Sequence, residues 1–144
     1  MRYIMKWKPS YAIGIDVIDE QHKHLFDLAE QAEELLELPD HMDKYDEIIP
    51  IVQELKDYVV YHFKEEEKLL LEIKYNKYFT HCIHHQDFVK AMNNVNIYEI
   101  DMNQKEELLK ITSLVTNWLV HHVLDEDMKW AALYKEYIKE KASS

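Results

Sequence analysis

Residues 58–85 read YVVYHFKEEEKLLLEIKYNKYFTHCIHH, and the stretch holds two pairs spaced four apart, His62 with Glu66 and His81 with His85. On an α-helix such residues are surface neighbours, their Cβ atoms ~5–6 Å apart, so each pair can aim two ligating atoms at one point. The apolar stripe of the first segment runs Ile48, Val52, Leu55, Val59, His62, Glu66, Leu69 and Ile73 with no phase shift. His62 and Glu66 therefore stand in the row that faces a core. An ionised carboxylate there is costly unless something positive sits beside it. A metal ion meets that need.

Working outward, Ile18, His22, Leu25, Ala29, Ala32 and Leu36 form a bundle stripe over about residues 18–38, with Asp16 or Asp19 as N-cap and Leu38-Pro39-Asp40 as its end. Asp40 and Asp43 open a second helix, which spans about 42–73 and carries a kink or split start at Pro50. Lys74 to Lys77 make the turn, with Asn76 the residue suited to αL or capping geometry. A third helix over about 77–98 bears Tyr78, His81, His85, Phe88, Met92 and Val95. After a loop at Asp101 to Asn103, a fourth over about 104–138 shows Leu108, Ile111, Val115, Trp118 and His122. Residues 1–17 hold Pro9 and the only glycine, Gly14, and lack a 3.6 period. They read as an extended arm whose Tyr3, Trp7 and Tyr11 pack across one end of the domain. The fold class is all-α: an antiparallel up-down four-helix bundle with an extended N-terminal arm, one domain over residues 1–144.

Composition agrees. One glycine and three prolines in 144 residues favour long helices and short loops. Twenty-eight acidic against 17 basic residues, a net charge of −11, argue against a nucleic-acid partner. The N-terminal MRYIMKWKPS lacks an apolar leader core, and no run approaches the ~18 apolar residues of a membrane span. Cys82 is the only cysteine, which rules out an internal disulfide, and a cytoplasmic location is expected.

Nine histidines occur, at 22, 24, 41, 62, 81, 84, 85, 121 and 122. Those at 22, 62, 81, 85 and 122 fall on the apolar stripes of four helices, and the others do not. So many inward imidazoles would leave a metal-free core with polar nitrogens it could not satisfy. Five imidazoles with a carboxylate exceed the four ligands of a structural zinc site. They are too nitrogen-rich for magnesium or calcium. No Glu-x-x-His, the motif of ferritin-like di-iron sites, occurs in the chain. A histidine-rich pair of first-row transition metals remains, iron foremost. For a second carboxylate, helical spacing from His122 favours Glu126. Asp127, five residues on, lies about 140° around an ideal helix and needs a local widening such as a π-type turn.

The chain resembles the hemerythrin family in its single-domain bacterial form. The matching text is Trp7, Gly14-Ile15, IDEQHKHLF (18–26), HFKEEEKLL (62–70), Tyr75, HCIHHQDF (81–88) and WLVHHVLDED (118–127). The resemblance implies metal ligands at His22, His62, Glu66, His81, His85, His122 and Asp127, and so takes Asp127 over Glu126. It implies two Fe ions bridged by Glu66, Asp127 and an oxo or hydroxo group. His81, His85 and His122 would fill one iron, and His22 and His62 would leave the other an open position for O2. Leu25, Phe63, Trp118 and Leu119 match the family's pocket-lining positions, though plain core packing also accounts for them. Leu70 and Asn76 depart from the family's usual methionine and proline, and neither is a ligand. The implied function is reversible O2 binding, as carrier, store or sensor, and not an enzyme's turnover. The alternative is a di-iron oxidoreductase acting on O2, peroxide or NO. An unidentified redox partner belongs to either reading; a membrane does not.

Overall fold

The computed structural model describes residues 6–39, 41–95, 97–100 and 102–143, with Ile97 and Tyr98 described by their backbone alone. Tyr3, Asp40 and Asp101 lie outside the described residues. The helices are α1 (Asp16–Leu36), α2 (Tyr45–Glu72), α3 (Tyr78–Asn93), the single turn α4 (Ile97–Ile100), α5 (Gln104–His121) and α6 (Met128–Ser143). Between α5 and α6 the residues His122–Asp127 form a π-helix, so one long rod runs from Gln104 to Ser143. α1 packs on α2 and α5, and α3 closes the ring by packing on the same two. Four antiparallel rods thus surround one core, in which Ile18, Leu25, Phe26, Ile48, Leu55, Leu108 and Ile111 are all but fully buried. Each follows the stripe of its helix.

The ends of the rods show what the local chemistry selects. Extended Ile15 is the N-cap of α1, with no side-chain cap bond. Asp16 and Asp19 sit inside the first turn, where the N-terminal dipole favours carboxylates. Asp19 reaches back instead, and its carboxylate accepts the N–H groups of Ile13 at 2.8 Å and Gly14 at 3.1 Å. That fold-back needs Gly14 at φ +85°, and a Cβ there would meet the Lys135 side chain at 2.3 Å. Before it, Pro9–Tyr11 form a 3-10 turn; Tyr11 is buried and stacks on Phe26 at 5.1 Å, and Trp7 is half-buried.

Helix α2 is continuous through Pro50, whose chemistry removes one hydrogen bond in its second turn. Its start is tied to that of α5: Gln104 accepts the N–H of Lys44 at 2.8 Å and donates to Asp43 at 2.8 Å. At its C-terminus the left-handed residue is Lys74, at φ 53°, and not Asn76. Lys74 donates to the Leu71 carbonyl and Tyr75 to the Leu70 carbonyl, a Schellman pair. Leu70 and Tyr75 are both buried, so an apolar clasp locks the reversal. That clasp decides which residue takes the strained conformation, and the better αL former two positions on is left out of it.

Candidate metal centre

Helix α1 supplies His22, α2 supplies His62 and Glu66, and α3 supplies His81 and His85. The π-helix supplies His122 and Asp127 at its two ends. All seven are buried, and His122, at 5%, is the most exposed. A π-turn holds one residue more than an α-turn, so the fifth residue on from His122 comes round to where the fourth would stand. Asp127 is therefore fully buried beside the histidines, and Glu126 is half-buried at the surface.

Two ligand sets meet here. Glu66, His81, His85 and His122 can bring their ligating atoms within 4.8 Å of one another, and so can His22, His62 and Glu66. Oε1 of Glu66 faces Nε2 of His81 at 2.6 Å, of His85 at 3.1 Å and of His122 at 3.5 Å. Its Oε2 faces Nε2 of His62 at 3.3 Å. Asp127 divides in the same way. Its Oδ1 lies 3.1 Å from His122 and 3.5 Å from His81, and its Oδ2 lies 3.3 Å from His22. Nε2 of His85 and Nε2 of His122 are 3.2 Å apart.

These contacts fit a cation better than a hydrogen-bond network. Two ligands at right angles on ~2.1 Å bonds lie ~3.0 Å apart, close to most of the separations here. Both ring nitrogens of His22, Glu66 Oε2 and Asp127 Oδ2 are buried and have no hydrogen bond within the protein. Such atoms are costly in a core unless something else satisfies them. Imidazoles and carboxylates together suit a first-row transition ion. The residues present fit the metal centre that the sequence implies.

Electrostatics tell the same story. Burial works to raise the Glu66 carboxyl, but the facing imidazoles of His122, His62, His81 and His85 override it and hold the group well below the usual carboxylate range. Asp127 is likewise lowered: burial and the Glu66 charge oppose ionisation, and His122 and His22 outweigh them. Burial pushes the His62 imidazole down. Burial also works against charge on His122, yet Asp127 and Glu66 push it up to about 10. The protein thus keeps two buried carboxylates anionic, which is the charge a cation would match.

Three residues that the sequence reading did not single out hold the ligands from behind. Nδ1–H of His62 donates to Gln21 Oε1 at 2.7 Å, and that of His85 to Glu67 Oε2 at 2.7 Å. Each bond turns Nε2 toward the centre. Trp130 Nε1–H donates to Asp127 Oδ1 at 3.0 Å. Gln21 and Glu67 are sequence neighbours of ligands, which is the one signal that could have found them. Of the four expected pocket-lining residues, Phe63 lies flat on His85 at 3.8 Å and Trp118 on His122 at 4.2 Å. Phe63 also borders His62 at 5.8 Å, and Leu25 and Leu119 are buried in the core. The remaining histidines stay outside: His24 pairs with Glu54 on the surface at 2.9 Å, His41 and His121 are exposed, and His84 is half-buried.

Residues 13–134 match the family described as "Hemerythrin HHE cation binding domain". A bacteriohemerythrin of Clostridium acetobutylicum is 40% identical over 124 residues, which cover 86% of this chain and 96% of that protein. A bacteriohemerythrin of Stenotrophomonas maltophilia is 25% identical over 138 residues, covering 95% of this chain and 86% of its own. A hemerythrin-like protein of Naegleria gruberi is 28% identical over 127 residues, covering 86% and 88%.

Proposed function

The chain belongs to the hemerythrin family, proteins that bind oxygen at non-haem iron, and on that premise we propose that it binds O2 reversibly at a pair of irons. The ligands in this reading are His22, His62, Glu66, His81, His85, His122 and Asp127. One observation carries it: each carboxylate splits its two oxygens between the same two histidine sets, Oε1 and Oδ1 to one, Oε2 and Oδ2 to the other. Carboxylates that each face both sets would hold two ions, one beside each set. When bound, the iron pair supplies the electrons for reversible O2 binding.

The chain's own residues set where and how. His81, His85 and His122 bring three nitrogens to one side, whereas His22 and His62 bring two to the other. With two nitrogens in place of three, the side of His22 and His62 would be the one that leaves room for O2. Gln21 fixes the His62 ring with Nε2 facing inward. Leu25, one turn on from His22, and Leu119, one turn before His122, are both buried, and such apolar core residues would help to keep water from the centre.

Turnover needs a proton source. Buried Tyr75 stands 6.4 Å from His81 between ring centres, and burial raises its phenol, so it holds its proton; the buried carboxylates and the lysine away from the centre sit in the wrong places. Asp19 is tied to the N–H groups of Ile13 and Gly14. Glu33 is buried eleven residues along α1 from His22, about 16 Å at helical rise. Glu107 stands fifteen residues before His122, about 22 Å away, and Lys44 eighteen before His62, about 27 Å away. This spacing favours a binding protein over an oxidoreductase acting on O2, peroxide or NO. No helix among the described residues is long and apolar enough to cross a membrane. We place the protein in the cytoplasm, with an unidentified redox partner.

The test begins with metal analysis, expected to give two irons per chain. The protein is then reduced anaerobically and given air. A visible charge-transfer band that appears with O2 and vanishes when O2 is removed supports reversible binding. Rapid bleaching to an oxidised form that O2 removal does not reverse would refute it in favour of oxidase chemistry.

A further inference from the structure

Glu66 and Asp127 each face both histidine sets, so their charge does not distinguish one side of the centre from the other. What stands behind the rings does. Nδ1–H of His62 donates to a neutral amide, Gln21 Oε1, and that of His85 to a carboxylate, Glu67 Oε2, both at 2.7 Å. The Nδ1 atoms of His22 and His81 are buried and find no acceptor within the protein. Among the described residues, Glu67 is therefore the only anion bonded to the outer nitrogen of a ligand, and it serves the three-histidine side. Consecutive helical residues point about 100° apart. Glu66 thus meets the His85 ring from inside, 3.1 Å from Nε2, and Glu67 takes it from outside. Lys64 and Lys90 line the same surface groove as Glu67, yet among the described residues neither pairs with it. The Glu67 side chain is 26% exposed, so water screens its charge only in part.

We propose that Glu67 is a positioning residue that makes the two metal positions unequal: the side of His81, His85 and His122 keeps the more highly charged ion, and the side of His22 and His62 takes the first electron. The proposal rests on the two-iron reading above and adds the order in which the pair is reduced. A carboxylate behind an imidazole fixes the ring and makes its other nitrogen a stronger donor. Its charge also favours a ferric over a ferrous ion, because the attraction grows with the charge on the cation. An amide such as Gln21 orients its ring without adding that charge. One contact works the other way: the Trp130 indole donates to Asp127 Oδ1, which faces the three-histidine side. The indole brings only a dipole against the full charge of Glu67. In each reduction step an external one-electron donor is oxidised as one ferric ion becomes ferrous. Glu67 makes the ion on its own side the later one to accept.

Iron-loaded, oxidised full-length protein is reduced stepwise under argon with reduced methyl viologen, and its visible absorption is recorded against potential. Wild type should take up two electrons per chain in two resolved steps. Glu67→Gln keeps an acceptor for Nδ1–H and removes only the charge, so its iron content should match wild type while its second step rises. A tenfold loss for the oxidised ion relative to the reduced one, the low end of what such partners are worth, is a rise of ~60 mV. The first step should move by less than threefold, ~30 mV. Gln21→Glu places a carboxylate behind His62 instead and should lower the first step by a similar amount; it leaves Glu67 untouched and so decides the case if Glu67→Gln does not load. A two-iron Glu67→Gln protein with neither step moved, or both moved equally, overturns the proposal, because a merely structural acceptor is replaced in full by glutamine. A wild type reduced in a single two-electron step overturns it too, as does a Gln21→Glu protein whose first step does not fall. A wild type that holds fewer than two irons sinks the two-iron reading with it, whereas two irons with unmoved steps sink the proposal alone.

Discussion

Gln21→Leu isolates the hand behind one ligand. Gln21 is 4% exposed, and its Oε1 accepts Nδ1–H of His62 at 2.7 Å. Leucine is close to glutamine in size and apolar, so the pocket stays filled while the acceptor disappears. The His62 N–H is then buried without a partner, at a cost of ~1–3 kcal/mol. At about 1.4 kcal/mol per tenfold, that is a loss of roughly 5- to 150-fold in affinity. Residues that orient a ligand from behind are generally worth ~10–100-fold in metal affinity, the same range. The loss should fall on one ion of the two, because the bond removed is to His62, on the two-histidine side. Competition against a graded series of chelators should therefore resolve two steps in the variant, one weakened ~10–100-fold and the other moved less than threefold. The metal-free protein should lose less than the loaded one, because an unligated imidazole can move its proton to Nε2 and Glu66 Oε2. Gln21→Glu, which restores an acceptor, should restore the weak step. Equal weakening of both ions, or wild-type affinity in a folded Gln21→Leu protein, would refute the assignment of separate histidine sets.

Three further outcomes follow from the same geometry. Asp127→Asn should remove most of the iron, whereas Glu126→Gln should retain both ions, as read by metal analysis after desalting; the reverse result would return the second carboxylate to the residue that regular helical spacing favours. Leu119→Ala should open the core one turn before His122 and speed autoxidation of the oxygenated protein severalfold, and it should cost ~2–5 kcal/mol of stability as a buried truncation; an unchanged autoxidation rate would show that Leu119 does not guard the site. In chelator-treated protein, His122 is pushed up to about 10, since Asp127 and Glu66 outweigh the effect of burial. A folded-state value above the unfolded ~6.5 stabilises fully below pH ~6.5, and that contribution is lost as pH rises toward the folded value. The melting temperature of the metal-free protein should thus fall between pH 7 and 10, and iron binding at pH 8 should release a proton into weak buffer; a melting temperature that rises over this range would contradict the His122 environment.

Much of this architecture can be read from one dimension because a bundle repeats one rule. Ile18, His22, Leu25 and Ala29, or Val59, His62 and Glu66, announce both the rod and the face it buries, since burial on a helix is periodic. Polar residues in such a row stand out against it. Asp127 is the instructive case. The regular rule rejects it, family likeness selects it, and the two agree only if the helix breaks its own period, as it does over His122–Asp127. What stayed hidden depends on register between rods. Gln21 and His62 are 41 residues apart and Glu67 and His85 are 18 apart, and no spacing within a helix states how far one rod slides along another. Lys74 took the left-handed turn from Asn76 for a related reason: burial of Leu70 against Tyr75 outweighed a propensity worth about 1 kcal/mol.

The π-helix joins these levels. Without the extra residue, regular spacing would bring Glu126 round to the position Asp127 now holds, and a glutamate's added methylene would have to fit where an aspartate now touches both histidine sets. The Trp130 indole, fully buried three residues on, holds the aspartate in that place. A local irregularity that costs helical hydrogen bonding persists here because it sets a short carboxylate between His22 and His122, and the remainder of α6 simply inherits the shifted phase.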